Sequence, residues 1–177
     1  MVHVFGYGSL LFRPDFPHTG ARVATVRGWM RRLDQGSPDH RGTPERLGRV
    51  ATLVEAASAL CVGAVFAVRG EDESKVLATL DYRERGGYVR HDVEATVRDS
   101  GEIVRAVTWV ARMDNPYYLG PSPMDAMVAQ IREAVGPSGA NVEYVLRLAD
   151  TLRGWGIDDA HVFEIEAALR ESEPTDL

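Results

Sequence analysis

A glutamate stands where a helix would be expected to present an apolar side chain. In Leu80-Asp81-Tyr82-Arg83-Glu84-Arg85-Gly86-Gly87-Tyr88, the helical advance of about 100° per residue puts Glu84 on the stripe that carries Leu77 and Leu80. A carboxylate on a core-facing stripe is stripped of water. Gly86 and Gly87 stop the helix, which leaves Glu84 in its last turn, where the negative end of the macrodipole also disfavours the ionised form. Both effects raise the pKa toward the range in which one carboxyl group takes up a proton and returns it, the chemistry of general acid–base catalysis. Arg83 and Arg85 act in the opposite sense. A structural Glu paired with either of them fits the same pattern, and the helix-face argument leaves the two readings level.

A second candidate is Val4-Phe5-Gly6-Tyr7-Gly8-Ser9-Leu10, a strand running into a glycine-rich turn. Gly6 and Gly8 begin a dinucleotide fingerprint, but its third glycine position is Leu11, and Pro14 and Pro17 forbid the helix that should follow. What remains is a turn of little bulk, whose backbone amides could serve an anionic or carbonyl oxygen as a nest or oxyanion hole. On these residues alone, a tight turn at a sheet edge is the simpler account.

Other chemistries find less support. His40 beside Asp39 suggests a triad, but no Gly-x-Ser-x-Gly elbow is present, and Tyr7-Gly8-Ser9-Leu10-Leu11 lacks the second glycine. Cys61 lies in an apolar strand-like run, the setting of an inert thiol. His3, His18, His40, His91 and His161 are scattered, none at metal-ligand spacing with another donor, so no metal is expected. In Asp114-Asn115-Pro116-Tyr117-Tyr118-Leu119-Gly120-Pro121, the tyrosines could line a pocket or pack on the core with their hydroxyls in water.

The elements that would position these residues follow from periodicity. About six strands are expected, at Val2–Phe5, Ala21–Arg32, Arg49–Val54, Leu60–Val68, Tyr88–Arg98 and Val104–Arg112. In the fifth, Val89, His91, Val93, Ala95 and Val97 alternate with polar residues, one face covered and one wet. Leu60–Val68, apolar almost throughout, reads as a strand buried on both faces. Helices are expected at Glu71–Glu84, Pro123–Val135, Val142–Arg153 and Asp159–Arg170, with Ser122 as N-cap ahead of Pro123. Strands fill the first two-thirds and helices the last third, an α+β arrangement. Gly36–Gly48 reads as one long loop, and loops of that length are often functional.

Composition sets the outer limits. The chain of 177 residues suits a single domain spanning 1–177, and its 45% hydrophobic and 26% charged residues suit a globular core. A net charge of −6 without a basic run argues against nucleic acid as a partner. No apolar run reaches the roughly 20 residues of a membrane helix, and no signal peptide is visible. Cys61, the only cysteine, allows no internal disulfide. A cytoplasmic protein is therefore expected.

Taken together, the segments resemble the ChaC family of γ-glutamyl cyclotransferases. The matching stretches are Val4-Phe5-Gly6-Tyr7-Gly8-Ser9-Leu10 with Arg13-Pro14-Asp15-Phe16, Gln35-Gly36-Ser37 with Asp39-His40-Arg41-Gly42, and Gly48-Arg49-Val50. They continue with Tyr82-Arg83-Glu84 before Gly86-Gly87-Tyr88, Asp114-Asn115-Pro116 with Tyr118-Leu119-Gly120-Pro121, and Gly136-Pro137-Ser138-Gly139 with Asn141, Glu143 and Tyr144. The resemblance implies a small mixed β-barrel flanked by helices and conversion of glutathione to 5-oxoproline and cysteinylglycine, without cofactor. It maps the substrate-binding loop onto Gly6, Tyr7, Gly8, Ser9 and Leu10, the catalytic glutamate onto Glu84 and a pocket tyrosine onto Tyr118. Leu33-Asp34 and Val62 depart from the family pattern, near segments expected to shape the pocket around the leaving half of the substrate.

That reaction suits the residues. The substrate's α-amine loses a proton, attacks its own γ-carbonyl in a five-membered closure and frees an amine that must gain a proton. One carboxyl group serves both transfers, and the intramolecular attack needs orientation more than any covalent intermediate or metal. Cyclisation of another γ-glutamyl amide or peptide, a silent γ-glutamyl-binding module and a hydrolase acting on the same carbonyl are the competing readings.

Overall fold

The computed structural model describes residues 1–171; the last six positions of the expected 1–177 domain lie outside the described residues. Five strands, β1 (Val2–Gly6), β2 (Gly20–Ser37), β3 (Gly48–Val68), β4 (Tyr88–Val97) and β5 (Ile103–Ala111), close into a barrel in the order β1-β3-β2-β4-β5. All pairs are antiparallel except β1 with β5, which are parallel at His3–Ala106 and Val4–Val107 and make the barrel mixed. A short helix, α1 (Glu73–Arg83), links β3 to β4. After β5 come α2 (Met124–Glu133), a two-residue-stranded hairpin of β6 (Val135–Gly136) and β7 (Gly139–Ala140), then α3 (Asn141–Gly154) and α4 (Ala160–Glu171).

Five barrel strands replace the expected six because Arg49–Val54 and Leu60–Val68 are parts of one strand. β3 runs for 21 residues through Glu55–Ser58, a partly exposed stretch of polar and small side chains at which its register on β2 shifts from Leu60–Arg27 to Glu55–Trp29. β2 likewise extends to Ser37, taking Gly36 and Ser37 out of the expected loop. It bends at register shifts between Arg27 and Trp29 and between Arg32 and Gln35. In β4 the alternation holds for Val93, Ala95 and Val97, which are buried, while Val89 at the open end is exposed.

The barrel is filled by Val4, Phe5, Leu53 and Phe66, and Leu80 of α1 plugs against it. Each such side chain contributes about 1.5–3 kcal/mol when fully buried. Met127, Ile131, Val145, Leu148, Val162 and Ile165 join α2, α3 and α4 into the adjoining layer of the same core. Ser122 does not cap α2. Its Oγ accepts a 2.6 Å bond from Nη2 of the buried Arg49, and Pro123 takes the N-cap position without a side-chain bond. A buried guanidinium is the more demanding customer for that hydroxyl, and Arg49 also donates to the carbonyls of Leu33 and Gly120, each at 3.0 Å.

Candidate active site

The first strand ends at one mouth of the barrel, where Tyr7 and Gly8 lead into a single 3-10 turn, Ser9–Leu11. The amides of Ser9 and Leu10, first in that turn, have no carbonyl within it to bond. Tyr7, Gly8, Ser9 and Leu10 all line a cleft of about 380 Å³, a size suited to a small ligand. Gly6 does not line it. A Cβ there would sit 3.0 Å from both Leu10 Cβ and Phe66 Cε2, so Gly6 permits the strand to pack, whereas Gly8 is the cleft surface. A Cβ on Gly8 would stand 3.3 Å from Tyr144 Oη and from Ala51 Cβ. Gly8 has φ −123°, so space and not a left-handed backbone makes glycine fit there.

Across the cleft is Glu84. The expected helix ended on it; in the structure it is the C-cap of α1, one residue past Arg83, with its amide bonded to the Leu80 carbonyl at 2.9 Å. Val76 and Leu80 bury the inner face of α1, and Leu77 packs beside them, so the stripe aims Glu84 at the barrel mouth. Gly87, at φ +104°, completes the stop, and a Cβ on it would lie 2.5 Å from Asn115 Oδ1. Gln35 locks the turn by donating from Nε2 to the Gly86 carbonyl at 3.0 Å and accepting at Oε1 from Asn115 Nδ2 at 3.0 Å.

Among the described residues three carboxyl groups line the cleft, and exposure separates them: the Glu84 side chain is 19% exposed, Asp15 53% and Asp39 47%. Burial lifts the Glu84 pKa above the ordinary carboxylate value; Arg83 draws it back in part and Asp39 adds to the rise. Arg83 Nε lies 3.4 Å from Glu84 Oε1, its Nη2 donates to Ser9 Oγ at 2.8 Å and its Nη1 to the Arg13 carbonyl at 3.1 Å.

The remaining wall is aromatic. Tyr7 Oη donates to the Trp109 carbonyl at 2.6 Å, Tyr88 Oη donates to the Ala51 carbonyl at 2.7 Å, and Tyr144 Oη accepts from the Ala51 amide at 3.0 Å. Burial pushes the hydroxyls of Tyr7 and Tyr88 well above their usual pKa and that of Tyr144 up to about 12. These phenols stay protonated at neutral pH, and Glu84 is the least exposed of the carboxyl groups beside them.

The loop after β2 forms the rim. It is folded on itself, with Gly42 and Gly48 so close that a Cβ on Gly42 would lie 2.2 Å from the Gly48 nitrogen. The β6–β7 hairpin braces it through the Ser138 amide on the His40 carbonyl at 2.9 Å and through Arg41 Nη1 on the Ala140 carbonyl at 3.1 Å. His40 and Asp39 stand half exposed at this rim. Their 4.0 Å separation, with His40 Nδ1 3.4 Å from Ser138 Oγ, is too open for a working relay.

One expected pocket residue lies elsewhere. Tyr118 does not line the cleft: its segment is stitched to β2 by a bridge to Gln35 and by the Leu119 and Gly120 amides on the Asp34 carbonyl, at 2.9 and 3.0 Å. Leu33, Asp34 and Val62 do not line it themselves, their carbonyls bonding Arg49, the Leu119 and Gly120 amides, and Arg31; Gly36 and Ser37, next along β2 from Leu33-Asp34, do line it. Besides the expected Tyr7, the tyrosines that line it are Tyr88 and Tyr144, visible in the sequence as matched positions without a role. Tyr144 had a signal like that of Glu84, a polar group on the apolar stripe of Val145, Leu148 and Leu152.

A family model described as "ChaC-like protein" matches residues 2–172. The chain is 42% identical over 171 residues to the Homo sapiens protein named glutathione-specific γ-glutamylcyclotransferase 1, covering 94% of this chain and 77% of that one. With the Danio rerio protein of the same name it shares 41% over 171 residues, covering 94% and 87%. Among solved structures, it superposes with a TM-score of 0.90 on a selenomethionine-labelled yeast γ-glutamyl cyclotransferase specific to glutathione, at 26% identity, covering 98% of this chain and 97% of that one.

Proposed function

The chain belongs to the ChaC-like family, and from that membership we propose that it is a cofactor-free, glutathione-specific γ-glutamylcyclotransferase with Glu84 as its acid–base group. The observation that carries the assignment is the partly buried Glu84 carboxyl sharing one cleft with the Tyr7–Leu10 turn, its pKa raised by desolvation. Relatives at 41–42% identity bear the same activity in their names.

In this reading the γ-glutamyl group lies between Glu84 and the glycine turn. The Glu84 carboxylate takes a proton from the substrate's α-ammonium, and the freed amine attacks the γ-carbonyl carbon. The N–C bond forms and the carbonyl oxygen takes up the electron pair, facing amide donors of the turn. When the tetrahedral centre collapses, the bond to the cysteinyl nitrogen breaks and protonated Glu84 supplies that nitrogen's proton; the second proton of the attacking nitrogen passes to the Glu84 carboxylate so released and on to the departing amine, which leaves as an ammonium. 5-Oxoproline and cysteinylglycine leave, and Glu84 is ionised again. The raised pKa suits both halves, because a stronger acid would be a poor acceptor of the first proton. The neutral phenols of Tyr7, Tyr88 and Tyr144 offer shape without competing for it.

Product identification tests the reading: incubation with glutathione should yield 5-oxoproline and cysteinylglycine in equal amounts. Free glutamate would mean that water attacks the carbonyl, and no turnover would leave a binding module. We also propose a cytoplasmic site of action, where a thiol substrate and the unpaired Cys61 both stay reduced; cell fractionation checks it.

A further inference from the structure

Arg31 is a buried cation that the reaction above does not use. Its side chain, in β2, is 1% exposed, and each guanidinium nitrogen has its own acceptor. Nε donates to the Tyr7 carbonyl at 2.6 Å, Nη2 to the Val62 carbonyl at 2.5 Å, and Nη1 to Asp159 Oδ2. The other Asp159 oxygen accepts from the Val162 amide at 3.1 Å, at the start of α4. One fork therefore joins three separated parts of the chain, and one of them is the turn that forms the cleft surface.

The Tyr7 bond has a geometric consequence. The Tyr7 carbonyl and the Gly8 N–H belong to one trans peptide plane and point in opposite directions. Arg31, Val62 and Asp159 do not line the cleft, whereas Tyr7 and Gly8 do. Holding the carbonyl on Arg31 turns it away from the cleft and so turns the Gly8 N–H toward it. Glycine is the residue least able to hold its own peptide plane, and the neighbouring φ of −123° supplies no special constraint. An external clamp is what such a donor needs, and Arg31 is rigid and always charged.

We infer that Arg31, seated on Asp159, is a positioning residue that aims the Gly8 amide into the cleft to receive a substrate oxygen, an assignment that rests on the γ-glutamyl reading of that cleft. The test uses full-length Arg31→Lys, which keeps a charge beside Asp159 but loses the fork, and the double variant Arg31→Met/Asp159→Asn, which leaves no buried charge unpaired. For each, kcat/KM per folded molecule should fall on the order of 10- to 100-fold, a part of what outright loss of an oxyanion donor costs. In the inactive Glu84→Gln background, glutathione should move the Gly8 amide resonance, and adding Arg31→Lys should remove most of that movement while other cleft resonances still respond. Either variant folded with wild-type kcat/KM, or a Gly8 resonance that responds with Arg31 replaced, would overturn the inference. A Gly8 amide silent toward glutathione while its neighbours respond would do the same. If no cleft resonance responds and the wild type releases no 5-oxoproline, the functional reading itself has failed and takes the inference with it.

Discussion

Arg83 ties the two sides of the cleft together: its Nε stands 3.4 Å from Glu84 Oε1 while its Nη2 holds Ser9 Oγ at 2.8 Å. The carboxyl group and the glycine turn thus share one guanidinium, so their separation is fixed by a side chain from the helix that delivers the carboxyl. The Glu84–Arg83 pairing that the sequence offered as an alternative to catalysis is present, and it leaves Glu84 on the cleft.

Glu84→Gln should keep the fold and lower the rate of 5-oxoproline release by about 10²- to 10⁴-fold. The folded pKa of Glu84 is raised above its unfolded value, so the folded state holds the proton more tightly, and the wild type loses stability as pH rises through that window. The glutamine variant escapes this loss, and its melting temperature at neutral pH should be no lower than that of the wild type. Near-normal turnover from the variant would remove Glu84 from the mechanism.

The acid limb of kcat/KM should follow the same group. Glu84 must be ionised to accept the first proton, so activity rises with pH through its pKa. Burial raises that pKa most, Arg83 lowers it and Asp39 raises it. Arg83→Gln should therefore move the limb to higher pH and Asp39→Asn to lower pH. A pH–rate profile in which neither variant shifts the limb would assign it to another group.

Gly8→Val should damage binding more than folding. Its Cβ would already meet Tyr144 Oη and Ala51 Cβ at 3.3 Å, and the two methyls beyond it must enter the cleft. Calorimetric titration of glutathione into the variant in the Glu84→Gln background should show lost affinity beside a modest change in melting temperature. Unchanged affinity would make the turn a packing device alone.

The two tyrosines separate the observed cleft from the expected one. Tyr144→Phe strips the Ala51 amide of its acceptor, at a cost of about 1–3 kcal/mol for a buried donor left unpaired, and should lower both melting temperature and kcat/KM. Tyr118→Phe lies off the cleft and should leave kcat/KM within about twofold. The reverse ranking in steady-state assays would return the pocket to Tyr118.

Cys61→Ala should retain turnover. Burial pushes the thiol up to about 11, so no thiolate is available at neutral pH, and the cost is confined to about 1 kcal/mol of packing. A loss of rate matching that of Glu84→Gln would reveal a nucleophile.

What the sequence disclosed, and what it hid, divides along the range of the interactions. Glu84 was legible because its position relative to Leu77, Leu80 and the paired glycines is set within one helix. Alternation along β4 was legible for the same reason. β3 was divided because Glu55–Ser58 reads as a break, and the structure keeps it as a shift of register, with pairing to β2 resuming on either side, Leu60 with Arg27 and Glu55 with Trp29. Ser122 lost its capping role to Arg49, and Tyr118 was drawn off the cleft by β2; both outcomes depend on partners more than 70 residues away in the chain. Arg31 gave no local signal at all, since its three acceptors come together only when the barrel and α4 meet.

Barrel closure also sets when, during synthesis, chemistry becomes possible. Tyr7 bonds the Trp109 carbonyl across 102 positions, and the Ala51 amide bonds Tyr144 across 93. A chain emerging from the ribosome therefore displays its glycine turn and Glu84 long before the far wall of the cleft exists. β1 cannot complete its parallel pairing until β5 has been made, and such long-range pairing forms late. Polypeptides released before α3 is translated thus carry Glu84 and the glycine turn without the Tyr144 wall that encloses them.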